Sequence, residues 1–107
     1  MRTLLVLLLG GAAEPLSREA VDVKRETLGN RHPSTITSIN NLGGLLMAKG
    51  DLDAAELLYR EAMDVQRETL GNRHPNTLIS ISNLGLLLQD KGDLATAEPL
   101  LREAGVS

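Results

Sequence analysis

Cysteine is absent from the 107 residues, as are phenylalanine and tryptophan, and Tyr59 is the one aromatic side chain. Without cysteine there are no structural disulfides and none of the thiolate-based zinc sites. A single aromatic supplies no series of platforms on which nucleobases stack. A core must therefore be assembled from Leu, Ile, Val and Ala. The net charge is only -3, with both signs mixed along the chain. No basic stripe is available to neutralise phosphates, so nucleic acid is not an expected partner. The chain is long enough for one domain with a modest core. The lack of cysteine also fits a cytoplasmic setting.

Long apolar runs are missing too. Leu4–Leu9 is far too short to cross a bilayer as a helix, and no membrane partner is expected. Arg2, this run and the small residues Gly10–Ala13 together copy the outline of a secretory signal. The other reading of residues 1–11 is a truncated helix or apolar N-terminal end, the remainder of a repeat helix. The cleavage region that a signal would need already belongs to the repeat described next.

What the chain does have is self-similarity. Residues 25–33 read RETLGNRHP and residues 67–75 read RETLGNRHP again, an offset of 42. The same offset relates Asn41 to Asn83, Gly50 to Gly92 and Ala62 to Ala104. Upstream it aligns AAEPLSREA (12–20) with AAELLYREA (54–62) and TAEPLLREA (96–104). Nine identical residues at a fixed offset are not accidental. A period of this length indicates stacked helical hairpins, none of which can bury its apolar side alone. Residues 12–104 divide into a partial unit, 12–33, a full unit, 34–75, and a third, 76–104.

Two helices fit one period. Ile36, Ile39, Leu42, Leu45 and Leu46 recur at helical spacing over 34–49. Pro33 suits the first helical position, where its missing N–H costs nothing. Gly50 ends this helix, and Asp51 can cap the next through its carboxylate. The second helix runs to about Leu70, with Leu52, Ala55, Leu58, Tyr59, Ala62 and Val65 on its inner side. Gly29 and Gly71 supply the positive φ that stops a helix before the Asn-Arg-His-Pro turn. Helices near 76–91 and 93–104 repeat the scheme. Gly43 and Gly85 cost about 1 kcal/mol each inside a helix, which argues for a close helix–helix crossing, with Ala55 and Ala97 expected opposite. Pro15 and Pro99 fall past the first turn of their helices, where a bend is expected. The fold class is all-α, an α-α superhelix (solenoid) of stacked antiparallel helix pairs.

The pattern resembles the tetratricopeptide repeat in its 42-residue, kinesin light chain-like form. The family's apolar, Leu-Gly/Ala, apolar positions look like Ile39, Leu42-Gly43 and Leu46. Its later Gly, apolar, Ala, aromatic and Ala positions look like Gly50, Leu52, Ala55, Tyr59 and Ala62. The second copy is Ile81, Leu84-Gly85, Leu88, Gly92, Leu94, Ala97, Leu101 and Ala104. The aromatic position is kept only at Tyr59; Leu101 and Ser17 stand at its counterparts. The likeness covers 12–104 and implies a non-catalytic module that binds a protein or peptide, since the family is defined by packing residues.

A curved stack exposes the first helix of each pair on its inner surface. A bound peptide needs side chains that pair with its backbone, because polar groups buried without partners are penalised. Asn40 and Asn41, with Ser82 and Asn83 one unit on, are the candidates, since an amide offers both a donor and an acceptor. The resemblance implies peptide contact for the Asn before the Leu-Gly pair, which Asn41 and Asn83 match. The alternative is that these residues brace the neighbouring structure. Gln89 and Met47 are expected near the same groove, with Lys49, Asp90 and Lys91 adding weak selectivity. A clamp of basic residues for an acidic tail is not evident beside Asn40 and Asn83.

Catalysis fails on inventory. His32 and His74 occupy the same turn in successive units and read as capping or packing residues; no nucleophilic Cys accompanies them. Glu19, Glu26, Glu61 and Glu68 read as solvated outer faces. No phosphate-binding glycine motif is present. No cofactor, metal or catalytic residue is implied. Beside the binding module stands a second reading, a structural segment that stacks on further repeats or self-associates through exposed apolar ends, especially Leu4–Leu9.

Overall fold

The computed structural model describes residues 2–106, with side-chain surroundings from residue 13 onward. The expectation that the Leu4–Leu9 side chains form a stacking surface lies outside the described residues. Five helices follow one another: α1 (Arg2–Thr27), α2 (Pro33–Ala48), α3 (Leu52–Leu70), α4 (Pro75–Asp90) and α5 (Leu94–Glu103). Each packs on the next, giving antiparallel pairs α2–α3 and α4–α5 joined through an α3–α4 contact. The architecture is a helical solenoid.

The turns follow their local chemistry. Asp51 opens α3 by accepting from the Ala54 N–H at 3.4 Å, and Asp93 opens α5 through Thr96 at 3.3 Å. Gly50 has φ 88°, which lets the Asp51 N–H turn back to the Leu46 carbonyl at 2.9 Å. This satisfies a helix-end acceptor that would otherwise be orphaned. His32 and His74 are the N-caps of α2 and α4. Their Nδ1 atoms accept from the N–H groups of Ser34 and Asn76 at 3.0 and 3.1 Å. Helices α1 and α5 continue through Pro15 and Pro99, so each proline forfeits one hydrogen bond and not the helix.

Ile36, Ile39, Leu42 and Leu46 of α2 form the core with Ile81, Leu84 and Leu88 of α4, the repeat counterparts of the last three, and with Ala55, Tyr59, Ala62 and Ala97. The buried face of α3 is wider than expected, because Met63 and Gln66 are buried as well. The reason is positional: α3 is covered by α2 on one side and by α4 on the other. The close approach expected at the helix glycines is present, with Tyr59 and Leu101 supplying the nearest atoms. A Cβ on Gly43 would stand 2.8 Å from Tyr59 Cε1, and one on Gly85 would stand 2.8 Å from Leu101 Cδ2. The glycines make room for the large side chains of the second helix, one turn beyond Ala55 and Ala97.

Candidate functional site: the seams and the face of the first helices

Consecutive units meet along seams built twice from the same residue types. Arg25 donates to both carboxylate oxygens of Glu61, at 2.6 and 2.8 Å, and to Asn30 Oδ1 at 2.9 Å. One unit on, Arg67 does the same to Glu103, at 2.6 and 2.9 Å, and to Asn72 at 3.1 Å. Lys49, which follows α2, reaches back to Glu14 at 2.6 Å. Lys91, which follows α4, reaches back to Asp53 at 2.6 Å and Glu56 at 2.8 Å. Arg31 meets Glu68 at 2.5 Å. Glu61 and Glu68 are thus ion-pair partners across the seam, not a merely solvated face. Their partners lie 36 and 37 residues away, on elements that only the stack makes neighbours.

These bonds hold several carboxylates below the usual range. Hydrogen bonds from Lys91 and then Arg60 do so for Glu56, from Arg67 for Glu103, and from Lys49 and then Arg18 for Glu14. The two lysines at the ends of α2 and α4 are consumed by the seams, which bears on any role for them in ligand selectivity.

A buried polar strand runs beside the ion pairs. Thr35 Oγ1 donates to the Lys24 carbonyl, and Thr77 Oγ1 to the Gln66 carbonyl at 3.3 Å. Lys24 Nζ donates to Ser38 Oγ at 2.8 Å, whereas in the next seam Ser80 Oγ donates to Gln66 Oε1. Asn40 joins this network, its Nδ2 donating to Ser80 Oγ at 3.0 Å. That bond ties α2 directly to α4 and sets successive first helices side by side. The Asn40 Oδ1 is buried and has no partner among the described residues.

The remaining candidates sit differently. Asn41 is exposed, and Ser82 and Asn83 are half-buried. None of the three makes a side-chain hydrogen bond among the described residues. Ile79, 58% exposed, and Leu86, 41% exposed, stand about one helical turn on either side of Asn83. Gln89 lies apart from this group, in a cleft at the α4–α5 end with Leu86, Leu101 and Arg102. Sequence reasoning separated neither Asn40 from Asn41 nor Gln89 from Asn83. Adjacent helix positions are about 100° apart in direction, and only packing shows which one enters the seam.

The described residues contain no group of three or more His, Cys, Asp or Glu placed to hold a metal ion. Among the described residues, no helix is long and apolar enough to cross a membrane. Paired helices, repeated at one spacing and joined through like seams, define a helical-repeat scaffold. A tetratricopeptide repeat profile matches residues 10–68 and 36–104, so the chain belongs to the tetratricopeptide repeat family. It is a protein–protein interaction module of that class, and the repeats themselves are non-catalytic.

No curated protein matches the chain significantly. Among solved structures, it is similar to a Podosopora anserina protein described as a putative kinesin light chain with nearly identical TPR-like repeats. The identity is 28%, the TM-score 0.84, and the match covers 89% of this chain and 45% of that one. A single-residue variant of that protein gives the same values. BtubC (BKLC) from P. vanneervenii shares the fold, at 21% identity and TM-score 0.83, over 89% of this chain and 37% of that one. The chain spans less than half the length of these structures.

Proposed function

We propose that the chain holds a peptide or helix of a partner protein along the surface formed by α2 and α4, with Asn41 and Asn83 pairing to the ligand backbone. The observation that carries this reading is the contrast between neighbours. Asn40 is spent on Ser80, whereas Asn41, one residue on, is exposed and has no internal partner among the described residues. Asn83 is its counterpart in the next unit, and Ser82 is the counterpart of Asn40. Ile79 and Leu86 on either side of Asn83 favour a ligand with aliphatic side chains there. Gln89 would touch only a ligand that continues toward the α4–α5 end. Units of 34–75 and 76–104, after a partial 12–33, are the frame of this reading, and a cytoplasmic partner fits a chain without cysteine.

The test is partner binding by Asn41→Ala/Asn83→Ala. Two lost hydrogen bonds, each worth about 1 kcal/mol, weaken binding about tenfold or more while helicity stays intact. Unchanged affinity refutes the reading, and lost folding assigns both residues to the scaffold. A second reading is self-association through the α4–α5 end. It is favoured by Leu86, Leu101 and Val106 meeting in one open cleft. A strictly monomeric chain across a wide concentration range in sedimentation excludes it.

A further inference from the structure

Two glycines follow one another on α2, and packing needs only the first. A Cβ on Gly43 would press into the Tyr59 ring at 2.8 Å, whereas one on Gly44 would meet only the Tyr59 hydroxyl, at an ordinary 3.5 Å. Alanine would therefore fit at Gly44 and favour the helix more than glycine does. Gly44 is half-buried and lies one turn beyond the exposed Asn41. Beneath it Tyr59 is only 4% exposed, and its hydroxyl makes no hydrogen bond among the described residues. Burial alone pushes that hydroxyl above its usual range. Among the described residues only Asn40 Oδ1 is both unpaired and sealed from solvent. The Tyr59 oxygen is thus unpaired but open, and it lies where Gly44 lacks a side chain. In the next unit Leu86 replaces Gly44 and Leu101 replaces Tyr59. The hydroxyl and the gap above it are present together in one unit and absent together in the other.

We propose that Tyr59 and Gly44 form a hydrogen-bonding subsite on the α2 face, in which the Tyr59 hydroxyl donates to a main-chain carbonyl of the bound segment. This rests on the reading that Asn41 and Asn83 hold such a segment. A donor buried this far without a partner has lost most of its hydration already, so an acceptor that reaches it adds binding free energy at little further cost. A main-chain carbonyl is the acceptor that a peptide carries at every residue. Gly44, having no Cβ, lets the ligand backbone come close enough for that bond. The two units then offer unlike contacts: a buried donor on α2, and the exposed aliphatic side chains of Ile79 and Leu86 on α4.

The probe is a displayed library of random linear peptides without aromatic residues, selected on the full wild-type chain. Selected peptides that weaken on Asn41→Ala/Asn83→Ala lie on the α2–α4 face and are carried forward. Tyr59→Phe should weaken them about threefold to tenfold, the loss of one neutral hydrogen bond. Gly44→Ala should weaken them as much or more, because its methyl group covers the hydroxyl. Neither variant should lower the thermal midpoint, and Gly44→Ala should raise it, which separates a lost contact from a lost fold. Tyr59 is the one aromatic residue, so its absorption band reports the hydroxyl directly. The band should shift to the red when a peptide binds the wild type and stay in place in Gly44→Ala. Peptides that depend on Asn41 and Asn83 but bind both variants as tightly as the wild type overturn the subsite and leave the face standing. Failure to select any peptide that depends on the two asparagines removes the subsite together with the face. A lowered midpoint for Tyr59→Phe assigns the hydroxyl to the scaffold and overturns the proposal as well.

Discussion

Asn40 and Asn41 carry the same side chain at adjacent positions and do different things, which shows how fine the distinction is at the residue scale. The Asn40 amide is one arm of a chain of hydrogen bonds through Ser80 to Gln66. Removing one partner from such a chain is costly only where it strands the others. Ser80→Ala leaves both Gln66 Oε1 and Asn40 Nδ2 without their partner and should destabilise the fold by about 1–3 kcal/mol. Asn40→Ala takes away one bond together with an acceptor that is already unpaired, and should cost less than about 1 kcal/mol. Urea unfolding of the two variants checks the order, and a reversed order would mean that Asn40 is the more important brace. The repeat offset alone conceals this asymmetry. Ser82 replaces Asn40 one unit on, and Lys24 replaces Gln66 one unit back, so equivalent positions do not have equivalent partners.

At the scale of single elements the sequence was largely legible. Pro33 and Pro75, Gly50 and Gly92, and Asp51 and Asp93 act through bonds within a turn of themselves, so their roles follow from position. Helix boundaries accordingly fall within a residue or so of expectation. The capping role of the histidines was legible for the same reason. His32→Ala should remove the bond to the Ser34 N–H and lower stability by about 1 kcal/mol, read from the thermal midpoint. An unchanged midpoint would show that solvent caps α2 equally well. What stayed hidden was which side chains of two packed elements meet. The atoms nearest Gly43 belong to Tyr59, and α3, on which Met63 and Gln66 are buried, packs against both α2 and α4. Helical periodicity locates one apolar face per helix, but α3 has two neighbours and therefore a broader one.

Over the whole molecule, the ion pairs are the feature that periodicity could not supply and the stack makes necessary. Glu14, Asp53, Glu56 and Glu103 are all held below the ordinary carboxylate range by their basic partners. A lowered acid contributes stability that is fully present above its unfolded value and is lost as pH falls through its folded one. The thermal midpoint should therefore be flat near neutrality and decline on acidification below a pH of about 4. The decline should be shallow in added salt, because such exposed pairs are weak and screened. A midpoint that rises on acidification would contradict this assignment of partners. The candidate ligand surface was proposed from the sequence as a face of successive first helices, but the engagement of Lys49 and Lys91 by acids of the preceding unit was not.

The order of the stack is open to a direct measurement, since the chain has no cysteine of its own. Cysteine pairs replacing Arg25 and Glu61, Arg67 and Glu103, or Arg25 and Glu103 would be treated with a short bis-maleimide at high dilution, and intramolecular crosslinking scored by mass. The seams described above require efficient crosslinking of the first two pairs and little of the third. Equal crosslinking of all three, or failure of the 25–61 pair in a chain that remains helical, would contradict the side-by-side stacking on which the interaction surfaces rest.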